Sequence, residues 1–424
     1  MKILVLSKES WRNEQNGGNV LSNIFRGIDA EFAQIYCNEL YPNNDICSRY
    51  YRITDREMLD SILSRHPAGN VLNTKFSSEQ TMPAAPESFS NLKNLFGGLL
   101  PVLREVVWRL GKWNKSEIEK FVREFNPDII FAPCYGSNYM HRLTRLVHEI
   151  AGVNVISYIS DDHYSNKQLH WAPWYWINHL ILRHNTRSVF KLYSLVYTMT
   201  DEQKEVCERN FGANMHILRK AAKCYGEIEN KKIHTPIRFI YAGGIYLNRW
   251  KTLRLLAKEM RRINGNAIKF KLDIYTNNSL TPAMQKAIND GETSTVHPVV
   301  GSEELKKIYS ESDIALHCES FDIINRLAVR LSFSTKIVDC LESGCAVMAV
   351  CDSKQAGFVY LQKNNGAICI SSPKDIRNVL RAIELNPDII SEYRVLAKKL
   401  ALKNHDENSI TQQLTNDFHQ YARY

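Results

Sequence analysis

No apolar run in this chain approaches the roughly 18 residues that a membrane-crossing helix needs, so an integral helical membrane protein is not expected. The N-terminal MKILVLSKE falls equally short of a secretion signal, because Lys8 and Glu9 interrupt it early. The 10 cysteines are scattered without a Cys-x-x-Cys pair, which points away from a disulfide scaffold and towards reduced thiols in a cytosolic setting. There is no Gly-x-Gly-x-x-Gly fingerprint, and a dinucleotide-dependent dehydrogenase loses support accordingly. Between His163 and Thr200 there is not one Asp or Glu.

What is present describes a folded protein. Hydrophobic residues make up 44% and charged residues 23%, which sets the chain apart from disordered sequences. At 424 residues it exceeds one core, so two domains of about 200 residues are expected. A polar, Lys- and Glu-rich stretch from Tyr225 to Pro236 separates a domain over 1–225 from one over 236–390, and a helical tail follows over 391–424. The net charge of +9 suits anionic partners such as nucleoside diphosphates or a membrane surface, and does not indicate nucleic acid.

Near-continuous apolar runs predict buried parallel strands at Lys2–Ser7, Ile129–Ala132, Asn154–Ile159, Ile237–Ala242, Ile314–His317 and Ala346–Val350. Helical periodicity alternates with them, at Asn19–Gly27, Ile53–Leu63, one long stretch over Leu99–Phe125, and Thr252–Arg262. The alternation predicts an α/β fold.

Two stretches carry the chemistry. After the strand Ile314–His317 come Glu319-Ser320-Phe321, then a helix predicted from Ser334 to Ser343 and ended by Gly344 in the left-handed conformation. Ser334 is the expected cap, and the free N–H groups of that helix start, beside Thr335 and Lys336, favour a bound phosphate. Glu319 and Asp339 are expected near that anion. Upstream, Gly243-Gly244 closes a strand and is followed by Arg249-Trp250-Lys251.

Two carboxylates, a lysine and a helix start at the carboxyl ends of parallel strands resemble the donor site of GT-B glycosyltransferases, particularly the family 4 type of bacterial surface-polysaccharide (capsule, lipopolysaccharide) enzymes. Ser334-Thr335-Lys336, with Asp339 three positions on, is similar to that family's Ser-x-Lys variant. The separation of Glu319 from Asp339 departs from the family spacing through an insert containing Arg326 and Arg330. The resemblance implies a GT-B architecture, two Rossmann-like parallel-sheet domains facing an interdomain cleft, with the last helix crossing back to the first domain. It further implies a nucleotide-sugar donor, a saccharide or lipid-linked saccharide acceptor, and retention of anomeric configuration. Arg249, Lys251 and Lys336 would hold the diphosphate, with Gly244 ending the strand beside it and Gly17-Gly18 approaching it from the first domain. Asp339 would hold the ribose, Glu319 the donor sugar, and His297 or Val299 the base. The residues Asp161, Asp162 and His163 follow a strand of the first domain, where parallel sheets bind ligands. In the family this strand end contacts the transferred sugar or the acceptor hydroxyl. With no Asp-x-Asp anywhere, a metal-dependent GT-A mechanism is disfavoured and neither metal nor cofactor is expected.

The acid-free segment holds Trp171, Trp174 and Trp176 with Lys167, Arg183, Arg187 and Lys191. These side chains either seat the protein peripherally on an anionic bilayer at the inner face of the cell membrane, or pack against the sheet and line a sugar pocket. The Pro- and Ser-rich stretch Ser77–Ser90 is either an acceptor-facing loop or a plain surface excursion. A nucleotide-sugar epimerase and a catalytically silent, partner-binding GT-B protein are the rival readings.

Overall fold

The computed structural model describes residues 1–13, 16–64, 66–72, 100–223 and 231–423. The stretch Ser77–Ser90 and the first half of the expected linker lie outside these residues. The chain forms two compact units, Met1–Leu218 with Thr411–Tyr424, and Arg219–Ile410.

In the first unit the elements run β1 (Lys2–Ser7), α1 (Asn16–Phe25), β2 (Glu31–Tyr36), β3 (Arg49–Arg52), α2 (Asp55–Leu63), β4 (Asn70–Leu72), α3 (Leu100–Leu110), α4 (Lys115–Phe125), β5 (Ile129–Phe131), α5 (Asn138–Ala151), β6 (Val155–Tyr158), α6 (Pro173–Phe190), β7 (Tyr193–Thr198), α7 (Asp201–Phe211) and β8 (Met215–Ile217). Among the described residues they make an eight-stranded sheet in the order β4-β3-β2-β1-β5-β6-β7-β8, parallel except at β4. The KILVLS strand is buried because it sits mid-sheet with helices on both faces, which is what its unbroken apolar run requires.

Two local expectations are corrected here. Gly17 and Gly18 lie within the first turn of α1, so the helix starts earlier than Asn19 and no Gly loop precedes it. The single helix over Leu99–Phe125 is two helices. Gly111 packs so closely on α2 that an added Cβ would meet the Met58 side chain at 2.5 Å, and Asn114 then caps α4 through the Glu117 N–H. Trp108 stacks on Tyr139 at 4.2 Å and fixes α3 to α5.

The second unit runs β9 (Ile237–Ala242), α8 (Arg249–Asn264), β10 (Phe270–Tyr275), α9 (Pro282–Ile288), β11 (Ser294–His297), α10 (Ser302–Ser310), β12 (Ile314–Cys318), α11 (Ile323–Ala328), α12 (Lys336–Glu342), β13 (Ala346–Val350), α13 (Ala356–Lys363), β14 (Ile368–Ile370), α14 (Ile376–Leu385) and α15 (Asp388–Asn404), with α16 (Glu407–Tyr421) after it. Its six strands, β11-β10-β9-β12-β13-β14, are all parallel. The order reverses between β9 and β12, and that switch point is where an open parallel sheet leaves a crevice at its carboxyl edge.

At the opposite edge Asp313, fully buried before β12, accepts from Arg394 of α15 at 2.7 Å and from the Arg238 N–H at 2.9 Å. This pairing ties α15 to the second unit, so the tail expected to cross back from 391 does so only from Thr411. There Phe418 of α16 meets Phe25 at 5.8 Å and Phe131 at 6.2 Å. All described cysteines are free thiols, and no described helix is long and apolar enough to cross a membrane.

Candidate functional site

The chain leaves β9 through Gly243, held at φ +151 with its N–H donating to the Tyr275 carbonyl at 2.8 Å. A Cβ on Gly243 would fall 1.8 Å from Nζ of Lys336. The missing side chain is therefore what lets the Lys336 amine lie against the backbone at the end of β9, over the Tyr241 ring at 5.5 Å. Leu247 and Asn248 follow in left-handed conformations, φ 54 and 59, and turn the chain into α8, whose first residue is Arg249. The helix expected from Thr252 thus begins three residues earlier, and Arg249 and Lys251 sit in its first turn.

Arg249 is 8% exposed and grips Glu319, itself 3% exposed, through two parallel 2.8 Å bonds from Nε and Nη2. Thr252, one turn on, donates to the Glu319 carbonyl at 2.7 Å and locks α8 to the loop after β12. Burial opposes the charge on Arg249, but the Glu319 carboxylate outweighs it and raises the guanidinium pKa. Among the described residues the remaining nitrogen, Nη1, is buried without a hydrogen-bond partner, and the guanidinium lies over the Tyr246 ring at 4.7 Å. For Lys336, burial first and the positive Arg249 second bring the ammonium down to about 8. His317, buried at the end of β12, is pushed by burial down to about 4, so it is neutral at physiological pH, and its Nε2 also has no hydrogen-bond partner among the described residues.

Two cations therefore share the switch point, with one carboxylate already committed to one of them. Such a pocket wants an anion.

No protein family's sequence profile matches the chain, and no curated protein matches it in sequence. Solved structures do. Sucrose-phosphate synthase from Thermosynechococcus elongatus aligns with a TM-score of 0.60 at 9% identity, over 99% of both chains. Anabaena HepE in complex with UDP and glucose aligns at 0.59 and 12% identity, over 99% of this chain and 100% of that one. TarM aligns at 0.54 and 14% identity over 72% of this chain, which spans only 58% of TarM.

The chain has the GT-B fold.

Within this GT-B chain the remaining expected donor residues are placed as follows. Lys251 pairs with Asp322 at 2.9 Å, and Asn248 donates to the same carboxylate at 2.6 Å, so Lys251 braces the start of α11. Asp339 is ion-paired with Lys220, and Glu342 accepts from the Lys223 N–H at 2.7 Å. The expected Ser334 cap is corrected: α12 starts at Lys336, Thr335 stands at the cap position with helical angles and makes no side-chain cap, and the Ser334 and Thr335 carbonyls accept from the Ile337 and Val338 N–H groups at 3.0 and 3.1 Å. Gly344 does take the left-handed conformation, φ +76, after α12. His297 is bonded to Asp273 at 2.7 Å and stacked on Tyr275 at 4.6 Å, on the edge strand β11. Two strands separate it from β12, so it lies on the order of 10 Å from β9.

In the first GT-B unit the Asp161-Asp162-His163 cluster divides. Asp162 is 1% exposed and accepts from the Ser165 N–H at 3.0 Å and its Oγ at 2.6 Å, so its carboxylate holds the turn after β6. Asp161 and His163 stay about half exposed, 3.8 Å apart. The His163 ring rests on Gly136, where a Cβ would approach it to 2.8 Å. Tyr246, Asn248, Thr252, His317 and Asp322 were not picked out by sequence. Thr252 alone carried a signal, standing one helical turn from Arg249. No described cluster of three or more His, Cys, Asp or Glu side chains is arranged to hold a metal ion.

Proposed function

We propose that this protein is a glycosyltransferase that moves a sugar from a nucleoside-diphosphate sugar, a UDP-sugar first among them, to a hydroxyl of a polysaccharide or lipid-linked saccharide. The observation that carries this reading is the juxtaposition of Lys336 and the buried, partly unpartnered Arg249 against the bare backbone of Gly243. Arg249 and Lys336 take the diphosphate. Glu319, which the family pattern assigns to the donor sugar, acts here through Arg249 and is a positioning residue. Support for uridine comes from HepE, whose structure holds UDP and glucose.

In the proposed step, the bond from the sugar's anomeric carbon to the β-phosphate oxygen breaks with its electron pair on phosphate. The acceptor oxygen bonds that carbon on the same face, and its proton passes to the departing phosphate. Fixed cations at the leaving group stabilise the charge as it develops, which is the main electrostatic task of the reaction. Two side-chain cations perform it without a divalent ion. Nucleotide binding by titration calorimetry tests the reading: UDP, GDP or ADP binds the wild type, the Lys336→Ala variant loses at least about tenfold in affinity, and chelator leaves sugar transfer unchanged. Absence of binding by every nucleoside diphosphate overturns it. The closure of Glu319 on Arg249 favours one second reading, a nucleotide-binding protein without transfer activity. That reading predicts binding with no sugar released or transferred.

A further inference from the structure

Most of the exposed large apolar side chains of the first unit lie on α3, on α6 or just before α6. Along α6 the inward stripe is His179, Leu182, Thr186 and Val189, and the outward stripe is Trp174, Ile177, Leu180 and Ile181. A water-facing helix normally reverses this on its outer side. Ile177 is 62% exposed, and Trp171, just before the helix, is 89% exposed. The neighbouring α3 repeats the pattern with Leu103, Val106 and Leu110, the last 62% exposed.

The two helices border a groove of roughly 720 Å³, walled by Val102 and Val106 on one side and Trp174, Ile177 and Ile181 on the other. Arg109, Arg142 and Arg145 line it too, and the same three guanidinium groups line an adjoining cleft with Lys112 and Lys115. Two of them are held in place: Arg142 donates to the Trp108 carbonyl at 2.9 Å and Arg145 to the Asn185 carbonyl at 3.2 Å. Against these five cations stand Glu149 and a Glu105 that accepts from the Asn138 N–H at 2.8 Å. The segment from His163 to Thr200 adds further cations and no acid.

We propose that the α3–α6 face docks the protein on an anionic lipid bilayer. Indole and aliphatic side chains enter the headgroup boundary, and the guanidinium groups beside them meet lipid phosphates. Charge decides for this occupant: an apolar ridge rimmed by positive charge complements a surface that is negative at the headgroups and apolar beneath.

Co-sedimentation of the full chain with vesicles of phosphatidylglycerol and phosphatidylcholine, against phosphatidylcholine alone, tests the proposal. The wild type partitions onto the anionic vesicles, its tryptophan emission shifts to the blue, and high salt weakens the binding. Ile177→Asp, at an exposed position, lowers the partition coefficient about tenfold or more, and Arg109→Glu lowers it on anionic vesicles while thermal melts of both variants stay unchanged. Equal binding to neutral vesicles, or binding that Ile177→Asp leaves intact, overturns the proposal. So does a wild-type dimer that Ile177→Asp dissolves, since a second copy would then cover this face. Nucleotide affinity measured on the same preparations is independent of every one of these outcomes.

Discussion

The lowered pKa of Lys336 makes nucleotide binding pH-dependent in a range where the phosphates of the nucleotide no longer titrate. Burial and the neighbouring Arg249 bring this ammonium from 10.5 to about 8, so keeping it charged costs on the order of 3 kcal/mol relative to water. A bound diphosphate, its second ionisation half complete at about pH 6 and nearly complete above about pH 7, relieves that cost and draws the proton back. The sign follows: affinity is full while Lys336 is protonated and falls as pH rises through about 8. If only the protonated form binds, affinity at pH 9 is about tenfold weaker than at pH 7, and binding takes up a proton between these values. The fold alone behaves in the opposite sense, gaining stability between about 8 and 10.5 because the native state there holds fewer protons than the unfolded chain. Calorimetry with UDP in buffers of different ionisation enthalpy reads both the affinity and the proton uptake. Lys336→Met binds weakly and with a flat profile. A wild-type affinity constant from pH 7 to 9, or the same slope in Lys336→Met, refutes the assignment of the anion to this lysine.

Three other outcomes are expected. Gly243→Ala puts a methyl group into the space of the Lys336 side chain at a φ of +151 that an L residue strains to adopt, so nucleotide affinity of the folded protein drops on the order of tenfold or more and stability falls by about 1–3 kcal/mol; unchanged affinity counts against the Gly243–Lys336 contact as a binding element. Glu319→Gln leaves the buried Arg249 without its counter-charge and costs about 3 kcal/mol in urea unfolding. In a double-mutant cycle with Arg249→Met the two losses fall well short of additive, and strict additivity would show that the pair is not coupled. Phe418→Ala empties a fully buried site against Phe25 and Phe131 and costs about 3–5 kcal/mol; a loss below about 1 kcal/mol would show that α16 is not anchored by this ring.

The strands were legible because burial on both faces favours apolar residues, as at Ile3–Leu6 in KILVLS and Phe239–Tyr241 in IRFIYA. The breaks were less so. Between α3 and α4 the apolar spacing runs on through Trp108 and Trp113, and what ends the helix is the approach of Met58 to Gly111, a contact with a distant part of the chain. The start of α8 was hidden for a different reason. It is set by Leu247 and Asn248 in left-handed conformations, and Asn248, though at the cap position, makes no capping bond because its side chain donates to Asp322 instead.

At the site, the order and type of the charges could be read, but their partners could not. Arg249 and Glu319 are 70 residues apart and meet because β12 lies beside β9 with Ile314 opposite Phe239, a register that neither strand states alone. That pairing changes what each residue is available to do. A carboxylate after a parallel strand reads as a ligand contact, yet both Glu319 oxygens face one guanidinium in a buried setting, where separating them would leave two uncompensated charges. The carboxylate therefore orients, and the guanidinium it orients keeps one nitrogen without a hydrogen-bond partner among the described residues. Asp162 follows the same logic beside His163. Both stand in one polar tripeptide, but burial against Ser165 commits the first to the turn, while the half-exposed second keeps an accessible ring. Residue type nominates a site, and burial with its hydrogen bonds decides which nominees remain free to meet a substrate.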